Sequence, residues 1–201
     1  MFKDQKIADF LETLSSDTPT PGGGTAAALT GALAASLVSM VASLSTGKKK
    51  YEGYESLYEE TIGKMKQMSE KLQDDMDNDA SAFNGVMKAL KMSKKTPEEK
   101  KVRKATLQKS MKKAADSPLK IAECVVKVSV YAKEMVKYGN KNAVSDAYCA
   151  LELSKASFNM AKENIDINLS SIKDKEYCAK VEGRVEELKT QLKNTMKELE
   201  E

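Results

Sequence analysis

Hydrophobic residues recur along most of this chain at steps of three and four, the spacing that places them on one face of an α-helix. No segment alternates apolar and polar residues as a half-buried strand would. The pattern predicts six helices, at residues 4–14, 24–46, 54–92, 97–136, 139–169 and 172–199. Residues 1–201 are therefore predicted to form one all-helical domain, a single bundle around a common core.

The second predicted helix is the most apolar segment, and Ala26–Ser45 is long enough to cross a bilayer. However, small residues recur in it at every fourth position, at Ala27, Gly31, Ala35, Ser39 and Ser43. Larger residues form the face beside them, at Leu29, Leu33, Leu37 and Val41. Because a small-residue face lets neighbouring helices approach closely, we expect a buried central helix and no membrane contact.

Three glycines precede this helix, namely Gly22, Gly23 and Gly24. They superficially fit the G-x-G-x-x-A phosphate-binding pattern, but that motif follows a strand, and here a helix and a proline-rich loop precede it. Backbone N–H groups at a helix start can still hold a carboxylate, a carbonyl or a negative charge that develops during a reaction. A tight turn that allows close helix packing is the alternative explanation.

One carboxylate of the third helix lies in an apolar position. Asp79 falls within the stripe formed by Leu72, Met76, Phe83, Val86 and Leu90. A carboxylate on a buried face is costly unless it is paired, hydrogen-bonded or protonated, and burial raises its pKa towards neutrality. Such a group suits a general acid or base, although a structural hydrogen-bond hub would explain the same position.

Polar residues gather again where the fifth helix begins, in "GNKNAVSDA". Asn142 and Asp146 are four residues apart and share a helix face, with Ser145 beside them. Capping the helix would use Asn140 alone, so the group indicates a site in which amides orient a planar polar ligand and Asp146 accepts a hydrogen bond or a proton. Three lysines follow the second helix, Lys48, Lys49 and Lys50, and in isolation they would form a solvated surface.

The composition narrows the chemistry. Charged residues make up 31% of the chain and sum to a net charge of +3, which is too balanced for a nucleic-acid-binding protein. The chain has no histidine and three widely spaced cysteines, which argues against a metal site and is typical of reduced thiols in a cytosolic protein. The polar N-terminus predicts no signal peptide. Proton carriers must therefore be Asp, Glu, Lys, Tyr or water.

Four segments, in this order and spacing, resemble the cyclodeaminase/cyclohydrolase family of folate one-carbon enzymes: "PTPGGGTAAALTGALAASLVSMV", "TGKKKY", "DASAFNGVMKA" and "GNKNAVSDA". The resemblance implies an all-helical subunit that forms a homodimer, with a folate cleft lined by these segments. It also implies a soluble cytoplasmic enzyme with no metal and no nucleotide cofactor. We expect no formiminotransferase domain to be attached, so that channelling from one would need a separate formiminotransferase as partner.

The resemblance implies two alternative reactions. The first is hydrolysis of 5,10-methenyltetrahydrofolate to 10-formyltetrahydrofolate by a cyclohydrolase, which is favoured because the domain stands alone. The second is release of ammonia from 5-formiminotetrahydrofolate by a cyclodeaminase, which gives 5,10-methenyltetrahydrofolate. A non-catalytic helical interaction protein is a further alternative, in which folates would not bind.

These reactions suggest roles for the polar residues. Either Asp79 or Asp146 is expected to be the general acid or base, and the other its electrostatic partner. The substrate-binding groups are expected to be the backbone of Gly22, Gly23 and Gly24, the side chains of Asn140, Asn142 and Ser145, and, for the folate glutamate, Lys48, Lys49, Lys50 and Tyr51. A helix of more than twenty residues holds its ends roughly 30 Å apart, so the glycines and the lysines are expected to meet only across a subunit interface.

Overall fold

The computed structural model describes residues 1–199, which form six α-helices and no strand. The helices are α1 (Ile7–Leu14), α2 (Gly23–Ser45), α3 (Glu55–Lys91), α4 (Pro97–Tyr138), α5 (Val144–Leu169) and α6 (Lys175–Lys197). Short 3-10 turns stand at Phe2–Asp4, Lys49–Tyr51 and Lys141–Ala143. The predicted all-helical fold is confirmed, with the largest boundary differences at the starts of α1, α5 and α6.

Local sequence signals explain several of these boundaries. The Thr96 hydroxyl accepts a hydrogen bond from the Glu99 backbone N–H, and the Glu99 side chain accepts one from the Thr96 N–H, so a capping box starts α4. Beyond the end of α2, Gly47 adopts a φ of 70°, a left-handed conformation that favours glycine. The side chain of Asn140 accepts a hydrogen bond from the backbone of Asn142 and so caps the turn before α5.

The small-residue face of α2 is buried at Ala27, Gly31 and Ala35 but exposed at Ser43, and Val41 of the larger face is also buried. A Cβ atom on Gly31 would overlap the Val125 side chain of α4, and the Ser157 hydroxyl of α5 donates to the Ala27 carbonyl. Most of the larger residues lie on the outer side, where Leu33 is 51% exposed. Among residues 1–199, α2 alone is long and apolar enough to cross a membrane, with a mean hydropathy of 1.8, and half of that window is buried inside the bundle.

The apolar stripe of α3 is covered along only part of its length. Met65, Leu72 and Met76 are buried in the core, whereas Phe83 and Leu90 remain 37% and 41% exposed. The reason is length: α3 has 37 residues against 23 in α2, so at about 1.5 Å per residue it is roughly 20 Å longer. The last third of α3, beyond Asp79, and the start of α4 therefore extend beyond the helices that form the core.

Candidate functional site

Asp79 lies directly against the first turn of α2. A Cβ atom on Gly24 would overlap the Asp79 carboxyl group, so the absence of a side chain at this position is what allows α3 to approach so closely. The Thr25 hydroxyl lies 3.4 Å from Asp79 Oδ2 and 3.4 Å from the Met76 carbonyl oxygen, and the Thr25 backbone also hydrogen-bonds to the carboxyl group. The predicted glycines and the predicted acid are thus brought together.

The surroundings of Asp79 change its proton affinity. Burial raises the pKa of the Asp79 carboxyl from 3.8 to about 6, hydrogen bonds from Thr25 oppose the rise, and the nearby Asp75 carboxylate adds to it. The side chain is only half-buried, so solvent or a ligand can reach it. A carboxyl group of this kind can take up and release a proton near neutral pH, as a general acid or base must.

Asn164 completes this end of the bundle from the other side. Its amide nitrogen lies 3.0 Å, and its amide oxygen 3.5 Å, from the point that a Cβ atom on Gly23 would occupy. Sequence reasoning missed Asn164, although a signal existed: it shares a helical face with the buried Ser157 and Ala161. The start of α2 therefore lies between a carboxyl group of α3 and a carboxamide of α5.

The opposite end of α2 holds a network of hydrogen bonds around Asn140, which is 4% exposed. The backbone N–H of Asn140 donates to the Ser45 hydroxyl at 2.8 Å, and its side-chain amide donates to the Leu44 carbonyl at 2.9 Å. Its side-chain oxygen accepts bonds from the Tyr51 hydroxyl and the Asn142 N–H. These contacts tie the end of α2 to the start of α5, and a substrate could bind the Asn140 side-chain oxygen only by joining or replacing them.

Tyr51 is buried, and its hydroxyl donates to Asn140 and accepts from the Lys141 N–H. Beyond Asn140 and Tyr51, the predicted residues at this end make no side-chain hydrogen bond within residues 1–199. Asn142, Ser145 and the three lysines are exposed, and Asp146 is half-buried in the first turn of α5. Within residues 1–199 the side chains of Asn142, Ser145 and Asp146 make no hydrogen bond or ion pair, and Lys50 only approaches the Tyr51 ring, with Nζ 5.8 Å from its centroid. A helix N-terminus with unengaged polar side chains is able to receive a polar ligand.

One subunit does not bring the two predicted carboxylates together. Asn164 touches the start of α2, and Asp146 lies 18 residues earlier on the same α5 helix. At about 1.5 Å per residue, Asp146 is therefore roughly 27 Å from the Asp79 end of the bundle. Helices α2 and α5 run antiparallel, so the cluster around Asp79 at the start of α2 and the cluster around Asp146 at the start of α5 lie at opposite ends of the bundle.

Fold and site together define an all-helical protein in which a half-buried carboxyl group lies against a helix N-terminus. The profile of the formiminotransferase-cyclodeaminase family matches residues 6–187. The chain belongs to this family, as the resemblance of its four motifs predicted.

Individual relatives cover nearly the whole chain. A methenyltetrahydrofolate cyclohydrolase of Methylorubrum extorquens is 37% identical over 94% of this chain and 89% of its own length. A formimidoyltransferase-cyclodeaminase of Sus scrofa is 33% identical over 96% of this chain, which spans only 37% of that longer protein. The solved formiminotetrahydrofolate cyclodeaminase of Thermotoga maritima is 30% identical, with a TM-score of 0.88 over 97% of this chain and 93% of that one.

Proposed function

We propose that the protein is a folate-dependent one-carbon enzyme that hydrolyses 5,10-methenyltetrahydrofolate to 10-formyltetrahydrofolate. The cyclohydrolase relative, which this chain matches over 89% of that protein's length, supports this choice of reaction. The observation that carries the chemistry is Asp79, a half-buried carboxyl with a pKa of about 6 set against the start of α2. Hydrolysis of a cationic carbon needs such a proton carrier beside it.

In the first step the Asp79 carboxylate takes a proton from water as the water oxygen bonds to the methenyl carbon. The cation becomes a neutral tetrahedral intermediate, and Asp79 becomes a carboxylic acid. In the second step Asp79 returns a proton to N5 as the bond from carbon to N5 breaks. The hydroxyl proton leaves to solvent, so the product is a formyl group on N10 and one proton is released overall.

The second polar cluster supplies binding in this proposal. Asp146 is the electrostatic partner of the cationic substrate, and Asn142 and Ser145 contact the pterin or the one-carbon unit. Asn140 also stays a proposed contact to the pterin, through its side-chain oxygen. Lys48, Lys49 and Lys50, beside Tyr51, hold the glutamate carboxylates, and the backbone of Gly22, Gly23 and Gly24 contacts the reacting end. The three lysines are exposed, as such contacts require.

Because the two clusters lie about 27 Å apart in one subunit, we propose a homodimer in which each site combines the α2 start of one subunit with the α5 start of its partner. Two exposed apolar residues supply surface for such contact, Leu33 on α2 and Ile7 on α1, which is 78% exposed. A two-fold arrangement would create two identical sites.

Neither reaction step requires a metal or a nucleotide cofactor, so we propose an enzyme that uses neither. We also propose a soluble cytoplasmic location, without nucleic-acid or membrane contact. If the protein receives formimino-folate from elsewhere, the donor would be a separate formiminotransferase.

Formiminotetrahydrofolate cyclodeaminase activity is the second candidate, because the Thermotoga maritima protein of that name shares the fold at a TM-score of 0.88. There N10 attacks the formimino carbon and ammonia leaves, and the same Asp79 would protonate the departing nitrogen. The two reactions differ in nucleophile and leaving group rather than in the groups that serve them.

Two assays on the purified protein test the proposal. The first follows loss of the near-ultraviolet absorbance of methenyltetrahydrofolate against the uncatalysed rate, and we expect a large acceleration. The second measures ammonia release from formiminotetrahydrofolate, and we expect little. Ammonia release with no hydrolysis would favour the second candidate, whereas folded protein that is inactive in both assays and binds no folate would support a non-catalytic interaction protein.

A further inference from the structure

Asn164 has hydrogen-bonding capacity that the fold does not use. Its Nδ2 donates to the Met160 carbonyl one turn earlier on α5, at 2.8 Å. That bond fixes the orientation of the amide, and its Oδ1 has no hydrogen-bond partner within residues 1–199. An unengaged acceptor therefore lies beside the first turn of α2.

Packing alone does not explain an asparagine at this position. Asn168, one turn further along α5, uses its amide nitrogen to bridge the carbonyl oxygens of Ala114 and Asn164, at 3.0 and 2.7 Å, so its role in the fold is plain. Asn164 makes no comparable contact to another helix. Asn164 is half-buried and its Oδ1 is open to solvent, so the free oxygen is available to a water molecule or a ligand.

Asn164 and Asp79 meet at the first turn of α2. Asp79 packs against Gly24 and Asn164 packs against Gly23, and consecutive Cα atoms are about 3.8 Å apart. The carboxyl and the carboxamide thus flank the same helical turn. A water molecule that gives one hydrogen bond to each of two such acceptors keeps its lone pairs free and directed away from both of them, towards an electrophile.

We propose that Asn164 is a second catalytic residue, whose Oδ1 accepts a hydrogen bond from the attacking water while Asp79 removes the other hydrogen. The inference rests on the proposed cyclohydrolase function. The water oxygen bonds to the methenyl carbon, one proton passes to the Asp79 carboxylate, and the remaining hydrogen stays on the hydroxyl of the intermediate, bonded to Asn164. A neutral amide orients the water without competing for the proton.

The test measures methenyltetrahydrofolate hydrolysis by Asn164→Ala with Asn159→Ala, an exposed asparagine of the same helix, as matched control. We expect kcat to fall about 10- to 100-fold in Asn164→Ala with KM changed less than twofold, because the water, not the folate, loses its contact. The control should match the wild type. Wild-type kcat in Asn164→Ala would overturn the proposal.

Asn164→Asp is the second variant, because it preserves shape and keeps an acceptor. It places a second carboxylate beside Asp79, so the acidic limb of the pH–rate profile should move to higher pH by at least about half a unit. An unmoved limb would show that position 164 does not lie beside the Asp79 carboxyl in the active enzyme, which would overturn the proposal even if Asn164→Ala failed to fold. If the wild type does not hydrolyse methenyltetrahydrofolate, the proposed function fails and this inference fails with it. If the wild type is active and the Asn164 variants are unaffected, this inference alone fails.

Discussion

The two helix N-termini that carry the candidate site residues, at the starts of α2 and α5, differ in burial. The α2 start is enclosed by Asp79 and Asn164, and it leaves no room for a side chain at Gly24. The α5 start leaves Asn142 and Ser145 exposed. A partly desolvated carboxyl is suited to proton transfer, whereas exposed amides and lysines are suited to holding a charged substrate. We therefore propose that the α2 start carries the chemistry and that the α5 start binds the substrate.

The largest expected effect comes from removing the carboxyl of the enclosed end. Asp79→Asn keeps the shape of the side chain and its acceptor for Thr25, but it cannot take up a proton. We expect kcat for methenyltetrahydrofolate hydrolysis to fall about 100- to 1,000-fold. Asp74→Asn is the control, since Asp74 lies on the same helix, is exposed and pairs with Lys3. If Asp79→Asn were as active as Asp74→Asn, Asp79 would not be the residue that transfers the proton.

A smaller loss is expected when the same carboxyl is kept but displaced. In Gly24→Ala the new Cβ atom would overlap the Asp79 carboxyl group, so α3 or the side chain must move. We expect kcat to fall at least about 10-fold, because small displacements of catalytic groups are costly. Gly63→Ala on α3, where a Cβ atom meets nothing within 4 Å, should keep full activity. An unaffected Gly24→Ala variant would contradict the close approach.

The dependence of rate on pH should show the same carboxyl. Asp79 must be ionised to accept a proton from water, and its pKa is about 6. The value of kcat/KM should therefore rise with pH through about 6 and level off above it, with roughly a tenth of the plateau at pH 5. A profile that is flat from pH 5 to 8 would show that another group carries the proton.

The smallest effect concerns stability, and it has the opposite sign to the loss of activity. Folding raises the Asp79 pKa from 3.8 to about 6, so the folded state favours the protonated carboxyl. The stability that this carboxyl contributes is fully present below pH 4 and is lost as the pH rises through 6. Asp79→Asn should therefore be more stable than the wild type by about 1–2 kcal/mol at pH 8 and equal to it below pH 4. The figure is reduced for the partial exposure of the side chain to solvent. Urea unfolding at the two pH values measures this, and a variant less stable at pH 8 would contradict the burial cost.

Much of the fold followed from periodicity. The six helices, the burial of most of the small-residue face of α2 and the position of Asp79 against neighbouring elements were all predicted from spacing. The exposure of Phe83 and Leu90 was not, because an apolar stripe shows which face a helix could bury but not how far its neighbours extend.

The site was harder to predict than the fold. Asn140 was predicted to bind substrate, and its side chain is hydrogen-bonded to Leu44 and Tyr51 in the structure. The sequence does not distinguish an amide that the fold uses from a free one. Asn164 was missed because its spacing from Ser157 and Ala161 indicates only a shared helix face, and the packed structure is needed to place it beside Gly23. The proposed catalytic role of Asn164 and the proposed binding role of Asn140 stay predictions for experiment.

The central claim is that chemistry from the α2 end of one subunit and binding from the α5 end of another form each site. Mixing Asp79→Asn subunits with Asp146→Asn subunits tests it most directly, after unfolding and refolding together. Random pairing would make half of the dimers mixed, each with one intact site, so the mixture should recover about a quarter of the wild-type hydrolysis rate. Activity no greater than the average of the two separate variants would contradict a site shared between subunits.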